Sequence, residues 1–190
     1  MSITLRFVSK NEDKLKEAMA ILDPVGITVK PLHIAINELQ VDDVEKLVRD
    51  KVLKAFAQVR RALFVEHTGL YLDAMEGKLP GGLTQVFWDN LRADKFAELF
   101  GRRATGVRAE TVIGYCDTKQ IHLFRASVRG NVPETPRGPR HFQWDCVFVP
   151  EGETETFAEM GDRKNSISMR RKALEQLAEH LGKSFHHPSP

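Results

Sequence analysis

The sequence predicts an α/β fold around a mixed β-sheet, and three observations predict it. Short apolar runs alternate with amphipathic helical stretches in the N-terminal half, the pattern of strands linked by helices. Two long strand-like runs, VRAETVIGYCD and QIHLFRASVRG, then flank the turn residues Asp117, Thr118 and Lys119, which marks an antiparallel hairpin. Finally, 190 residues with 42% apolar and 28% charged content suffice for one domain, or one domain with two lobes, around a sizeable core.

Taken in order, ITLRFV at 3–8 reads as a short buried strand ending at Ser9. Leu15, Ala18, Met19 and Leu22 follow at helical spacing, with Asn11 as N-cap, acidic residues in the first turn, and Asp23-Pro24 as the stop. ITVKPLH at 27–33 is a second strand, placed at a sheet edge by Pro31. Val44, Val48, Val52, Ala55 and Val59 share one arc of a helix over roughly 42–60. ALFVE is a strand that stops at the mouth of a turn, and a helix over about 84–100 is broken near Arg92. After the hairpin, NVPETPRGPRHF is an irregular loop and CVFVP a short buried strand. Ile167, Leu174, Leu177 and Leu181 mark the last helix, and the tail SFHHPSP frays. One domain over 1–183 with a flexible tail at 184–190 is the expected organisation.

Composition excludes several classes of function. A net charge of +2 gives no support to a nucleic-acid or membrane partner. No window approaches the length of a membrane span, and the N-terminus has no signal-peptide core, so a cytoplasmic protein is expected. Cys116 and Cys146 are too few for a disulfide framework or a cysteine zinc site and read as buried free thiols.

Four stretches carry candidate chemistry. SKNEDKLKE runs from a strand into a helix N-terminus, where free N–H groups and the dipole favour phosphate, and Lys10 and Lys14 add charge. A capped surface helix explains the same residues. Glu38 and Lys51 are either a loop charge and a snorkelling lysine or members of a cleft that holds phosphate. Glu66 and Glu38 are oxygen ligands suited to magnesium, whereas the neighbouring His67 suits transition metals better. In FQWDC, Phe142 and Trp144 lie beside Asp145, an arrangement that suits a purine ring with N–H donors and equally suits core packing. Lys164, Ser168 and Arg170 in RKNSISMRR supply donors at a helix start.

The order and spacing of SKNEDKLKE, ELQ, VEHTGL…LPG, FQWDCVFVPEGETETFAEM and KNSISMRRKAL resemble the HAM1 family, the inosine triphosphate pyrophosphatases, over about residues 3–182. The resemblance implies a two-lobed fold on a long twisted mixed sheet, a nucleotide cleft between the lobes, and a homodimer. It implies a magnesium-dependent pyrophosphatase that converts inosine, deoxyinosine or xanthosine triphosphate to the monophosphate and pyrophosphate. On that resemblance Ser9, Asn11, Lys14 and Lys51 hold phosphates, and Glu38 and Glu66 serve the metal. Phe142, Trp144, Asp145, Lys164, Ser168 and Arg170 hold the base.

The chain departs from the family pattern at four positions. His67 stands where the family has a metal-binding or general-base aspartate, and Met169 where it has a base-recognising histidine; Gln143 and Cys146 replace a glycine and a proline. At its ordinary pKa of ~6.5 a histidine there is partly cationic, which weakens the metal site, although a neutral imidazole still serves as a base. Together His67, Lys51 and Glu66 form the expected catalytic set, with catalysis weaker than in an aspartate-bearing site. The alternative keeps the nucleotide pocket without efficient chemistry: a subunit that senses inosine-type nucleotides and regulates a partner effector protein, such as a sirtuin-like NAD-degrading enzyme in anti-phage defence.

Overall fold

A computed structural model of the chain describes residues 3–103, 105–183 and 185. Among them seven strands form one mixed sheet in the order β2-β1-β3-β5-β6-β7, with β4 paired to β3 off that path. Strand β1 (Ile3–Val8) runs parallel to both β2 (Ile27–Leu32) and β3 (Leu63–Leu72). Antiparallel pairing then joins β3 to β5 (Gly106–Cys116), β5 to β6 (Ile121–Asn131) and β6 to β7 (Val149–Pro150). The predicted class, the edge position of the strand containing Pro31 and the hairpin are all as the sequence indicates.

Helices cover both faces of the sheet, and strand alternation decides which residue meets which helix. Helix α2 (Val44–Val59) packs Val48 and Val52 with Leu63 and Val65 of β3. On the other face, α1 (Glu12–Leu22) and α5 (Met169–His180) enclose Leu5, Phe7 and Phe64. The second lobe closes over the far ends of β3 and β5. There α3 (Thr84–Phe100) and α4 (Phe157–Met160) gather Leu70, Leu72, Val107 and Trp144 into a separate core. Helix α3 is interrupted at Arg92, whose φ of 57° and ψ of 178° are non-helical.

One feature of the pairing opens a cleft. Strand β1 pairs with β3 only at Arg6–Leu63 and Phe7–Phe64, while β4 (Pro80–Gly81) reaches only Leu70 and Tyr71. Among the described strands, nothing pairs with residues 65–69 of β3 on that side. The chain leaves β1 for β2 on one side and returns through α2 to β3 on the other. The gap therefore lies at the topological switch point, beyond the carboxyl end of β1. Gly69 permits the close approach of β4, since a Cβ there would stand 2.7 Å from the Gly81 carbonyl oxygen.

Three local expectations are corrected. Glu66 and His67 do not end a strand at a turn; β3 continues to Leu72 because its whole length pairs with β5. In CVFVP only Val149–Pro150 is strand, since Cys146 and Val147 belong to the 3-10 turn Gln143–Val147. Ile167 precedes α5 rather than lying in it. The ring of Phe185 lies 4.9 Å from the Arg171 guanidinium. Ser184 and residues 186–190 of the expected tail lie outside the described residues. Both cysteines are buried free thiols.

Phe7 and Phe64 stack across β1 and β3 with centroids 4.3 Å apart and planes 9° from parallel, both fully buried. Phe64→Ala should destabilise the protein by about 3–5 kcal/mol, read as a shift in the urea midpoint at unchanged slope.

Candidate functional site

Strand alternation sends Glu66 and His67 in opposite directions from the open edge of β3. Glu66 follows Phe64 onto the α5 face and His67 follows Val65 onto the α2 face. One cavity forms around them and a second adjoins it. The larger, ≈ 340 Å³, is lined by Ser9, Asn11, Lys14, Glu38, Lys51, Glu66 and His67 together with Thr68 and Gln143. The smaller, ≈ 10 Å³ and nearly filled by its own side chains, is lined by Phe142, Trp144, Asp145, Lys164, Ser168, Met169 and Arg170. The structure thus brings every expected phosphate, metal, base and catalytic residue to one or the other cavity, while Cys146 lines neither.

Local structure fixes each group of the larger cavity. Asn11 caps α1 by accepting from the Lys14 amide at 3.0 Å, and its own N–H donates to the Ser9 hydroxyl at 3.1 Å. On α2, Lys51, Lys54 and Gln58 share one face and pin the loop before the helix. Lys54 donates to the Asn37 carbonyl, Gln58 to the Ala35 carbonyl, and Lys51 Nζ lies 2.6 Å from Glu38 Oε1. Burial would raise the Glu38 carboxyl, but Lys51 outweighs it and holds the carboxyl below its ordinary range.

Glu66 is surrounded by donors. Arg170 donates from Nε to Oε2 at 2.7 Å and from Nη2 to Oε1 at 3.0 Å, while Lys14 and the Thr68 hydroxyl each approach Oε1 at 3.1 Å. Burial favours its neutral form, yet Arg170 and Lys14 prevail and hold it well below the carboxylate range. With both oxygens committed, Glu66 has little room for a metal ion, and among the described residues no three His, Cys, Asp or Glu side chains converge as a metal cage. Glu38, half-buried with only one oxygen on Lys51, fits a hard cation better.

His67 is not cationic, contrary to the expectation drawn from its ordinary pKa. Burial first, then the positive charges of Lys14 and Lys51, lower its pKa to about 3. Its Nε2 is buried and has no hydrogen-bond partner among the described residues.

The smaller cavity is held shut by charge and aromatic contacts. Lys164 bridges Glu17 at 2.6 Å and Asp145, and its Nζ stands 4.0 Å above the Phe142 ring. Burial raises the Asp145 carboxyl to about 6 despite Lys164. Trp144 packs edge-on to Phe148 in the second-lobe core, the packing use its sequence position left open, and Met169 belongs to the same core. Ser168 caps α5 by accepting from the Arg171 amide. Arg170, expected to face a base, spends Nε and Nη2 on Glu66 and Nη1 on Glu17. Glu17 closes the SKNEDKLKE motif but was given no role from the sequence, although it shares the Asn11 and Lys14 face of α1 at three-residue spacing among apolar positions. A carboxylate on a buried arc was the available signal.

The sequence profile of the Ham1 family matches residues 5–180, so this fold and cleft define a Ham1-type protein. The chain belongs to the Ham1 family. A dITP/XTP pyrophosphatase from Methanopyrus kandleri is 34% identical over 176 residues, covering 91% of this chain and 93% of the relative. Inosine triphosphate pyrophosphatase 1 of Trypanosoma cruzi is 36% identical over 178 residues, covering 92% and 90%. A HAM1 protein from Coxiella burnetii shares the fold with a TM-score of 0.75 at 23% identity, over 95% of this chain and 98% of that one.

Two outcomes follow from these charges. Arg170→Met leaves Glu66 and Glu17 buried without their shared cation and should cost about 3–5 kcal/mol. Arg171→Met, which breaks a helix-surface pair with Glu175 and the guanidinium contact with Phe185, should cost about 1 kcal/mol or less; both are read by urea unfolding. For His67, the folded pKa lies below the unfolded value, so the unfolded state binds the extra proton. Stability is then lost as pH falls from ~6.5 towards about 3. Imidazole NMR between pH 5 and 8 should show no titration of His67, identified by the resonance missing in His67→Gln. A midpoint near 6.5 would contradict the neutral assignment.

Proposed function

We propose that the chain hydrolyses inosine-type purine nucleoside triphosphates, ribose or deoxyribose, to the monophosphate and pyrophosphate. One observation carries the reading: a cleft with converging lysines and a helix N-terminus adjoins a pocket walled by an aromatic ring and a buried carboxylate. That is the layout a triphosphate attached to a purine needs. The names of the curated relatives quoted above support the same substrate class.

In this reading Lys14 and Lys51 offset phosphate charge, and Ser9 and Asn11 present the α1 N-terminus to it. Glu38 would hold the magnesium that accompanies the triphosphate, which supplies further charge neutralisation when bound. Asp145 accepts from the N–H edge of the base, Phe142 offers its ring, and Lys164 supplies the cation at that edge. Met169 offers no hydrogen bond there. Arg170 acts at a distance, fixing Glu66 and Glu17.

His67 is the base of the reaction. Water attacks the α-phosphorus and gives its proton to His67 Nε2 as the bond from that phosphorus to the bridging oxygen breaks, and pyrophosphate leaves. The lysine charges that depress His67 are offset once phosphate lies between them, so its basicity rises with substrate bound. An imidazole so placed is a weaker base than a carboxylate, and slower turnover than in an aspartate-bearing site is expected. The nucleotide-sensing alternative gains no observation of its own from the fold.

Pyrophosphate release from inosine triphosphate tests this directly. His67→Gln should lower the rate by ~10²–10⁴-fold, while calorimetry shows nucleotide binding retained. Absence of both binding and release at millimolar nucleotide would end the proposal. Undiminished release by His67→Gln would remove His67 from the chemistry.

A further inference from the structure

The two cavities share three lining residues, Lys14, Thr68 and Gln143. If the nucleotide reading holds, with the base in one cavity and phosphates in the other, the sugar must cross these three. Two of them are committed elsewhere. Lys14 is ion-paired to Glu66, and the Thr68 hydroxyl is shared between Glu66 and Thr111.

Gln143 is placed differently. Its backbone φ of 42° lies in the left-handed region, which costs a residue that carries a Cβ. Such strain persists where surrounding contacts over-determine a conformation, and it is common at ligand-binding positions. Here the residue opens the 3-10 turn that carries Trp144 and Asp145. Its side-chain amide donates to Gln85 Oε1 in the first turn of α3, and Gln85 Nε2 in turn donates to Asp89 Oδ1 at 2.9 Å. A relay of neutral amides thus tethers the base-side turn to α3 at the junction of the cavities. No hydrogen bond among the described residues occupies the Gln143 amide oxygen, which leaves an acceptor at the place the sugar must pass.

We propose that Gln143 reads the sugar: its amide oxygen, steadied by Gln85, accepts a hydrogen bond from the ribose 2′-hydroxyl of the bound triphosphate. Lys14 is spent on Glu66 and the Thr68 hydroxyl on Glu66 and Thr111, so of the three only Gln143 offers an uncommitted acceptor. A 2′-deoxy substrate leaves the acceptor to water, so the preference is modest. One neutral hydrogen bond corresponds to about fivefold in favour of the ribonucleotide.

The test compares inosine and deoxyinosine triphosphates on the unmodified chain, Gln143→Ala, Gln143→Gly and Gln85→Ala. Both kcat/KM and calorimetric Kd are measured, so that sugar preference is readable even without turnover. The unmodified chain should prefer the ribonucleotide by about fivefold, expressed in KM and Kd rather than kcat. Gln143→Ala should erase that preference by losing affinity for the ribonucleotide alone. Gln143→Gly, which also relieves the backbone strain and so guards against misfolding, should do the same. Gln85→Ala should keep part of the preference. Equal affinity for both sugars in the unmodified chain overturns the proposal, as does a preference that survives both Gln143 substitutions. Binding of both nucleotides without pyrophosphate release would instead count against the proposed hydrolysis and leave the sugar comparison standing on Kd.

Discussion

A line of alternating charge runs through the centre of this protein, and the arrangement of both cavities depends on it. Lys14, Glu66, Arg170, Glu17, Lys164 and Asp145 follow one another in contact, three cations and three carboxylates in strict alternation. The six come from α1, β3, α5 and the two 3-10 turns that precede α5 and β7. Each bond in the line therefore ties one element to another. Such a line adds little net stability, because desolvation of six charges offsets most of the attraction. Its effect is a constraint on geometry. Displacing any member takes a buried partner from its neighbours, so the elements that wall the site hold one mutual arrangement.

The same line places groups of opposite electrostatic character close together. At one end burial is outweighed by Arg170 and Lys14, and Glu66 stays ionised far below its ordinary range. At the other, burial outweighs a single lysine, and Asp145 rises to about 6. His67 lies off the line on the opposite face of β3, where burial and two nearby ammonium groups keep it neutral. Burial favours the neutral imidazole with or without an anion, and the lysines add to it. An incoming polyanion would pair with the lysines and remove their share of the depression but not that of burial, which couples occupancy of the cleft to the basicity of the imidazole.

Sheet topology explains why the chemistry gathers where it does. Strands β1 and β4 both meet β3 but leave residues 65–69 unpaired on that edge among the described strands, and the chain reverses direction across the sheet at the same point. The α1 N-terminus, the α2 lysine face and the loop carrying Glu38 all border this gap. Period-two alternation then divides two adjacent side chains between opposite faces, so Glu66 joins the α5 charges and His67 the α2 lysine.

Much of this was legible in the sequence. Periodicity located the helices and the hairpin, and Asn11 marked the start of α1 because a cap must satisfy free N–H groups locally. The order of short motifs identified the family, and every residue to which they gave a site role lines one of the two cavities. These are local or pattern-level properties, which the chain carries whatever it packs against. Partnerships across the fold were not legible. Arg170 reaches Glu66 over 104 positions and Glu17 over 153, and no spacing rule spans such distances. The state of His67 was hidden for the same reason, since its pKa depends on burial and on lysines delivered by two separate helices. The sequence by itself determined which groups meet at the cleft. Only the tertiary structure decided which of them are ionised, which are spent on one another, and which remain free to meet a ligand, because desolvation and Coulomb energies depend on distances that arise when the chain packs.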